Sequence, residues 1–262
     1  MKLKLITWSL LIMFSTFGWM SCKKETPEQL SLVNIENNTT KLYYGSNGGV
    51  TIIGGDGKYA FSCESPLLKA EMTYRNYILF EPLGVGDAVV TIKDSSGNSY
   101  ILNVTVAYKS ESIVVSKVDA IVVGDNMTVG SQKELKEKAI TTIPVKAEGG
   151  YKFVYTAGED LDKTNGIVFI YPDKYGNNGI EGTFERVLTK SDDGKSYSHV
   201  TYSLHYKNIN HTFTRWFSKP TGQSSENQPG QLAEDLTAPY KTAYPELEQV
   251  YTSQIIGSTA VE

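Results

Sequence analysis

The sequence contains little cysteine, tryptophan or histidine, and it has no excess of positive charge. Its 262 residues include 2 Cys, 3 Trp and 3 His, and 25 Lys and Arg stand against 29 Asp and Glu, for a formal net charge of −4. A nucleic-acid-binding protein of the basic type carries clustered Lys and Arg, so the composition argues against a nucleic-acid partner. The apolar share of 40% and the charged share of 21% are ordinary for a globular protein.

The short motifs that mark common enzyme classes are also missing. The sequence has no Gly-x-Ser-x-Gly, no His-Glu-x-x-His, no phosphate-binding loop and no dinucleotide-binding glycine fingerprint. Its second cysteine, Cys63, lies in a predicted core strand, where a thiol behaves as a small apolar group. We therefore expect a protein that is not an enzyme, has no catalytic residues and needs no cofactor.

The three histidines, His199, His205 and His211, stand six residues apart, which raises the question of a metal site. Metal ligands must converge on one point. On a strand, six residues span about 20 Å, and the third histidine is predicted on the opposite face. We expect no metal and interpret these histidines as solvated or turn residues.

The segment 160–166 is similar to a calcium-binding loop in its spacing of Asp and Asn. Its Gly166 falls one place late, and Tyr171 stands where such a loop needs a bidentate Glu. We interpret the segment as a connecting turn.

The N-terminus has the layout of an export signal. Residues 1–4 are basic, and the run Leu5–Phe17 is too short to span a bilayer about 30 Å thick. A small residue then precedes Cys22, and this arrangement resembles a bacterial lipoprotein signal. The resemblance implies a signal peptide over 1–21, lipid on Cys22 and a polar tether over 22–35, with the protein anchored in the outer membrane.

The lipidated chain would face the cell surface, and a periplasmic orientation stays open. Ordinary secretion with cleavage nearby and an uncleaved anchor are the other readings of the same segment. After cleavage at this point, Trp216 would be the one tryptophan left and Cys63 the one free thiol.

The sequence is rich in tyrosine and glycine, with 17 Tyr and 23 Gly. Tyr favours pleated, half-buried surfaces and Gly favours tight turns. Short β-rich runs separated by Gly and Asn clusters recur from Thr39 onward, which is typical of an antiparallel sandwich. The fold class predicted is all-β.

One stretch carries a more specific pattern. A Gly-bearing turn, a strand Ala88–Ile92, an Asp-x-x-Gly turn at Asp94–Gly97 and a closing strand that ends Val104–Val106 follow one another. This order resembles the bacterial immunoglobulin-like modules of surface and adhesion proteins. The resemblance covers about residues 36–108 and implies an immunoglobulin-like β-sandwich that acts as a spacer or adhesive unit.

The remaining residues, 109–262, are predicted to form a second β-rich, sandwich-like domain with one or two short helices. Ser131 followed by Glu134 has capping-box spacing and predicts a helix over Ser131–Ala139. Thr237 followed by Pro239 predicts a second short helix. A hairpin turn is predicted at Ser191–Lys195 and a final strand at Gln249–Ile256.

The clearest alternation in the chain lies in Tyr197–Tyr206. Even positions are apolar or aromatic and odd positions are polar, which predicts that the even side chains face a core. A four-residue turn at Lys207–Asn210 would pair Tyr206 with His211 and place Trp216 beside Thr201. The outward face would then carry the candidate ligand-binding residues, which are Trp216, His199, Thr201, Ser203 and His205.

An outward tryptophan among hydroxyl groups can stack against the apolar face of a sugar ring. A tryptophan on one face of a hairpin more often packs beneath a neighbouring strand, a loop or the C-terminal segment, and Trp216 could also contact a protein. Three functions follow from these observations. The first is a non-enzymatic surface lipoprotein for adhesion or extracellular binding, the second is a glycan-binding accessory lipoprotein of a polysaccharide-utilisation system, and the third is a subunit of a fimbria-like assembly.

Overall fold

The computed structural model describes residues 28–156, 162–217 and 230–261, which form sixteen strands and two helices. The all-β prediction is confirmed. The predicted signal peptide and Cys22 lie outside the described residues. The first eight strands are β1 (Ser31–Leu32), β2 (Thr39–Tyr43), β3 (Gly48–Ile53), β4 (Tyr59–Cys63), β5 (Leu68–Tyr74), β6 (Tyr77–Pro82), β7 (Gly86–Asp94) and β8 (Ser99–Ala107).

These eight strands form two four-stranded sheets. Their orders are β1-β3-β6-β5 and β2-β8-β7-β4, and all pairs are antiparallel except β2 with β8, which is parallel. Side chains of both sheets share one core, with Ile52, Ile78 and Phe80 on one side and Ile92 and Leu102 on the other, all almost fully buried. The alternation of buried and exposed residues along each strand therefore produces a β-sandwich.

The predicted tether over 22–35 is too long. Leu30 and Leu32 are buried in the sandwich core, and β1 pairs with β3 through Ser31 and Leu32. A two-residue strand leaves no measurable periodicity in a sequence, so the alternation that identifies longer strands could not reveal it.

The second group of strands forms a closed barrel, not the sandwich-like domain predicted for residues 109–262. Each strand pairs antiparallel with the next, and the last pairs with the first. The strands are β9 (Ser110–Val123), β10 (Gly150–Tyr155), β11 (Lys163–Tyr171), β12 (Ile180–Lys190), β13 (Tyr197–Tyr206), β14 (Ile209–Trp216), β15 (Gln231–Asp235) and β16 (Gln249–Val261).

The physical reason for this correction is that sandwiches and barrels share the same alternation of inward and outward residues. What closes the barrel is the pairing of β9 with β16, which runs from Val123 opposite Gln249 to Glu111 opposite Val261. No local feature of the sequence encodes a contact between strands so far apart.

Aromatic side chains fill the middle of the barrel. Phe153 stacks on Tyr202 with ring centroids 4.6 Å apart and meets Phe184 edge-on at 5.0 Å. Tyr151 contacts both Phe153 and Phe213 at 5.9 Å. An eight-stranded barrel has an interior just wide enough for side chains to fill, and this one is filled chiefly by rings.

Two helices accompany the barrel, as predicted. Helix α1 (Val129–Thr141) begins earlier than expected, because Thr128 and not Ser131 is its N-cap, and the Thr128 hydroxyl accepts a hydrogen bond from the Ser131 amide. Helix α2 spans Thr237–Lys241. Leu135 and Ala139 of α1 pack with Ala120 and Val250, which lie near the end of β9 and the start of β16. Helix α1 therefore covers that end of the barrel.

Within the described ranges, neither helix has the length and apolar character that crossing a membrane requires.

Candidate functional site

The hairpin of β13 and β14 presents the face predicted from the sequence, in a different register. Lys207 and Asn208 form a two-residue turn with φ of 47° and 62°, so Tyr206 lies opposite Ile209 and not opposite His211. The predicted four-residue turn is wrong. The register error amounts to two residues, and a shift of two leaves every side chain on its face because the pleat repeats every two residues.

The even positions of β13 are buried in the barrel, as predicted, and the odd positions face outward. Trp216 lies opposite His199, not beside Thr201. The two rings are 4.4 Å apart with planes inclined by 46°. Both are half-buried, and burial lowers the pKa of the His199 imidazole. This aromatic pair occupies the end of the hairpin near the start of β13.

A groove of about 530 Å³ crosses the outer surface of the barrel over β11, β12 and β13. The strand register arranges its outward side chains in two rows. The first row contains Asn165, Glu185 and Ser203, and the second contains Ile167, Thr183 and His205. Neighbouring strands are about 4.8 Å apart, so each row offers three side chains across roughly 10 Å. We call these six residues the groove set; Thr156, Gly166 and Phe184 complete the lining.

Two members of the groove set are held by neighbouring polar groups. The Lys163 ammonium lies 2.9 Å from Glu185 Oε2, and Nδ1 of His205 lies 2.7 Å from the side-chain oxygen of Asn210. Both contacts restrict the groove side chains, and each side chain keeps a further acceptor or donor atom that its contact does not use. Five of the six side chains of the groove set are polar, which makes the groove a hydrogen-bonding surface with apolar contacts at Ile167 and Phe184.

The predicted site residues therefore divide into two places. Ser203 and His205 line the groove, whereas Trp216 and His199 lie near the barrel end, about 13 Å along the strand from Ser203. Thr201 lies between them, opposite Val187 and Thr214.

Sequence reasoning missed Asn165, Thr183 and Glu185. The predicted hairpin turn at Ser191–Lys195 is confirmed, since β12 ends at Lys190 and β13 begins at Tyr197. Because a hairpin turn joins β12 to β13, the two strands are neighbours. The alternation of β12 could therefore have predicted Thr183 and Glu185 on the same face as Ser203 and His205. Asn165 had no such signal, because its partner strand was not known.

The interpretation of all three histidines as solvated or turn residues is wrong for His211. Its ring is buried in the barrel, and Nδ1 lies 2.9 Å from Glu234 Oε2. In the part of the chain that the structure describes, no group of three His, Cys, Asp or Glu side chains is placed to hold a metal ion.

The calcium-like segment is only partly described. Asp160 lies outside the described residues, and strand β11 begins at Lys163 and continues through Gly166. The interpretation of the whole segment as a connecting turn is therefore wrong from Lys163 onward. Asp162 accepts a hydrogen bond from the Tyr197 hydroxyl at 2.6 Å and pairs with Lys190 at 3.2 Å.

No protein-family model matches the chain, and neither does a curated protein. Among solved structures, the chain is similar to an I-band fragment of titin, I67-I69, with 7% sequence identity and a TM-score of 0.24. The match covers 88% of this chain and 89% of the titin fragment. At that score the two folds are too different for the likeness to bear on function.

Proposed function

We propose that the chain is a non-enzymatic, lipid-anchored protein of the outer cell surface that binds an extracellular glycan in the groove over β11–β13. The observation that carries the proposal is the composition of the groove set, in which five polar side chains of four chemical types face one open surface. A glycan presents many hydroxyl groups, each of which can both donate and accept a hydrogen bond.

The shape of the groove supports the same ligand class. It lies on an outer face of the barrel, built on three adjacent strands, so a polymer can lie across it with both ends free. Rigid strands also hold binding groups in more constant positions than loops do. Asn165, Glu185 and Ser203 lie side by side on the three strands, and Ile167 can cover the apolar face of a sugar ring.

The order of elements along the chain fits a surface protein. The lipid attachment expected at Cys22 comes first, the sandwich follows, and the barrel that carries the groove comes last. Two or three acyl chains give stable anchoring, whereas one chain binds a membrane only marginally. In this arrangement the sandwich separates the anchor from the binding surface along the chain.

The test is retention of soluble polysaccharides in an affinity gel that contains the purified full chain, with amylopectin, laminarin and mannan as probes. Ser203→Tyr should fill the groove with a ring and lower retention of a bound polysaccharide by about tenfold or more, because several hydrogen bonds are lost together.

Thr259→Tyr is the matched control, since Thr259 is also exposed on a barrel strand but lies on β16. It should leave retention unchanged. Absence of retention for every probe, or equal effects of the two tyrosine variants, would contradict a glycan site in this groove.

A further inference from the structure

A cluster of charged and phenolic side chains lies inside the barrel, at the end opposite helix α1. Glu111 is the second residue of β9, Tyr155 is the last of β10, and Arg215 is the last but one of β14. Each stands two residues from a core side chain of its own strand, so each points inward. With Arg186 of β12 and Tyr202 of β13, they form what we call the mouth cluster.

The carboxylate of Glu111 accepts three hydrogen bonds from the cluster. The hydroxyls of Tyr155 and Tyr202 donate to Oε2 at 2.7 and 3.1 Å, and Arg215 Nη1 donates to Oε1 at 3.3 Å. Burial raises the pKa of both phenols, and the neighbouring Glu111 raises them further, so both stay protonated donors. One guanidinium and one carboxylate are thereby paired.

Arg186 has no such partner. Its guanidinium lies over the ring of Tyr155, 5.8 Å from the centroid, and its Nε atom is shielded from solvent without a hydrogen bond. No carboxylate of the described residues forms an ion pair with it. The cluster therefore holds two guanidinium groups and one carboxylate, an excess of one positive charge in a partly buried place. The Arg186 side chain is half-buried, and a cation that is partly removed from water without an anionic partner carries a desolvation cost.

The cations of the mouth cluster are arginines, although arginine is rare in this sequence. Lysine greatly outnumbers arginine in the sequence, yet two of its three arginines stand in this cluster. Arginine offers a planar fork of donors that matches a carboxylate. The cluster is reachable, since Arg186 is half-buried and not enclosed, and the side chains of Arg215 and Glu111 are 22% and 13% exposed. Phe184 and Phe153 pack against Tyr155 and Tyr202, are almost fully buried and close the barrel interior below the cluster.

We propose that the mouth cluster binds the carboxylate of a small organic anion, with Arg186 as its principal partner. A single negative charge neutralises the excess of the cluster. The Tyr155 and Tyr202 hydroxyls are occupied by Glu111, so the donors for the ligand come from the arginines. This site lies inside the barrel, whereas the groove set faces outward; Phe184 belongs both to the groove lining and to the packing beneath the cluster.

The test is calorimetric titration of the full chain with benzoate, a small organic carboxylate. Benzyl alcohol tests the need for charge, and inorganic sulfate tests whether any anion suffices. Benzoate should bind, and benzyl alcohol and sulfate should bind at least about tenfold more weakly. Arg186→Gln should weaken benzoate roughly 10- to 100-fold, as expected for loss of a charged hydrogen bond. Arg75→Gln, which changes an exposed arginine of the sandwich, should leave binding unchanged.

A second variant separates binding from folding. Arg186→Met removes the unpartnered cation and should raise the melting temperature of the ligand-free chain by a few degrees. Benzoate should raise the melting temperature of the wild-type chain but not that of the variant. A lower melting temperature for Arg186→Met, failure of the variant to fold, or benzoate affinity that is insensitive to Arg186→Gln would overturn the proposal. Equal binding of benzyl alcohol or sulfate would overturn the assignment to a carboxylate.

Discussion

Replacement of Glu234 by alanine is expected to lower the free energy of unfolding by several kcal/mol, about 1–3 kcal/mol for each buried group that loses its hydrogen-bond partner. Glu234 Oε2 lies 2.9 Å from His211 Nδ1, and Oε1 accepts a hydrogen bond from the Thr212 amide at 2.9 Å. The side chains of His211 and Glu234 are only 7% and 8% exposed. Without Glu234, the His211 ring and the Thr212 amide lose a partner that water cannot easily replace.

Glu185→Ala is the matched control for this prediction. Glu185 pairs with Lys163 at a similar distance, 2.9 Å, but the two side chains are about half exposed. Exposed pairs contribute at most about 1 kcal/mol, so the loss should be that small. Urea denaturation followed by circular dichroism measures both variants. Similar losses for the two would show that burial does not decide the contribution of the Glu234 pair.

Replacement of Cys22 by alanine is expected to abolish acylation and to move the protein from the membrane fraction to the soluble fraction. In the proposed anchor, the lipid on Cys22 supplies the attachment, and two acyl chains bind a bilayer far more firmly than one. Metabolic labelling with a fatty acid and membrane fractionation measure the two effects.

Cys63→Ala is the control for the anchor, because it removes the other cysteine of the sequence. Cys63 is half-buried in the sandwich, and its thiol donates to the Leu68 carbonyl at 3.5 Å. This variant should retain label and membrane attachment. Unchanged labelling and fractionation of the Cys22→Ala chain would refute lipidation at that residue.

Local patterning predicted which side of the sheet each side chain occupies better than it predicted which residues pair across strands. In β13, alternation placed Val200 and Leu204 in a core and Ser203 outside, and both placements are confirmed. The same alternation could not fix the turn, because type I′ geometry at Lys207 and Asn208 needs positive φ without the usual glycine. A register set by such a turn is visible only in the structure.

Local patterns could not predict the closure of the barrel, for another reason. β9 and β16 pair over most of their lengths, and the sequence gives each strand the same signal that it would have in a sandwich. Strand pairing also determines which residues form the candidate site. Once β11 is known to pair with β12, Asn165 and Ile167 join Ser203 and His205 in the groove, which a reading of the β13–β14 hairpin alone could not show.

Buried polar groups were the least predictable feature. His211 and Arg186 occupy positions of the inward alternation that an apolar residue would ordinarily fill, and single polar residues in a strand look like solvent-exposed ones. Their partners, or the lack of a partner, depend on strands far away in the sequence. The pair of His211 with Glu234 and the unpartnered Arg186 thus emerge only once the barrel is closed.

The central claim is that the outer face of β11–β13 binds glycan, and chemical-shift mapping tests it most directly. An oligosaccharide cut from the polysaccharide that the affinity gel retains is added to the isotopically labelled full chain. The amide signals of Asn165, Thr183, Glu185, Ser203 and His205 should shift together and saturate at one concentration. Shifts confined to the sandwich strands, or shifts at the mouth cluster with none in the groove set, would contradict the claim.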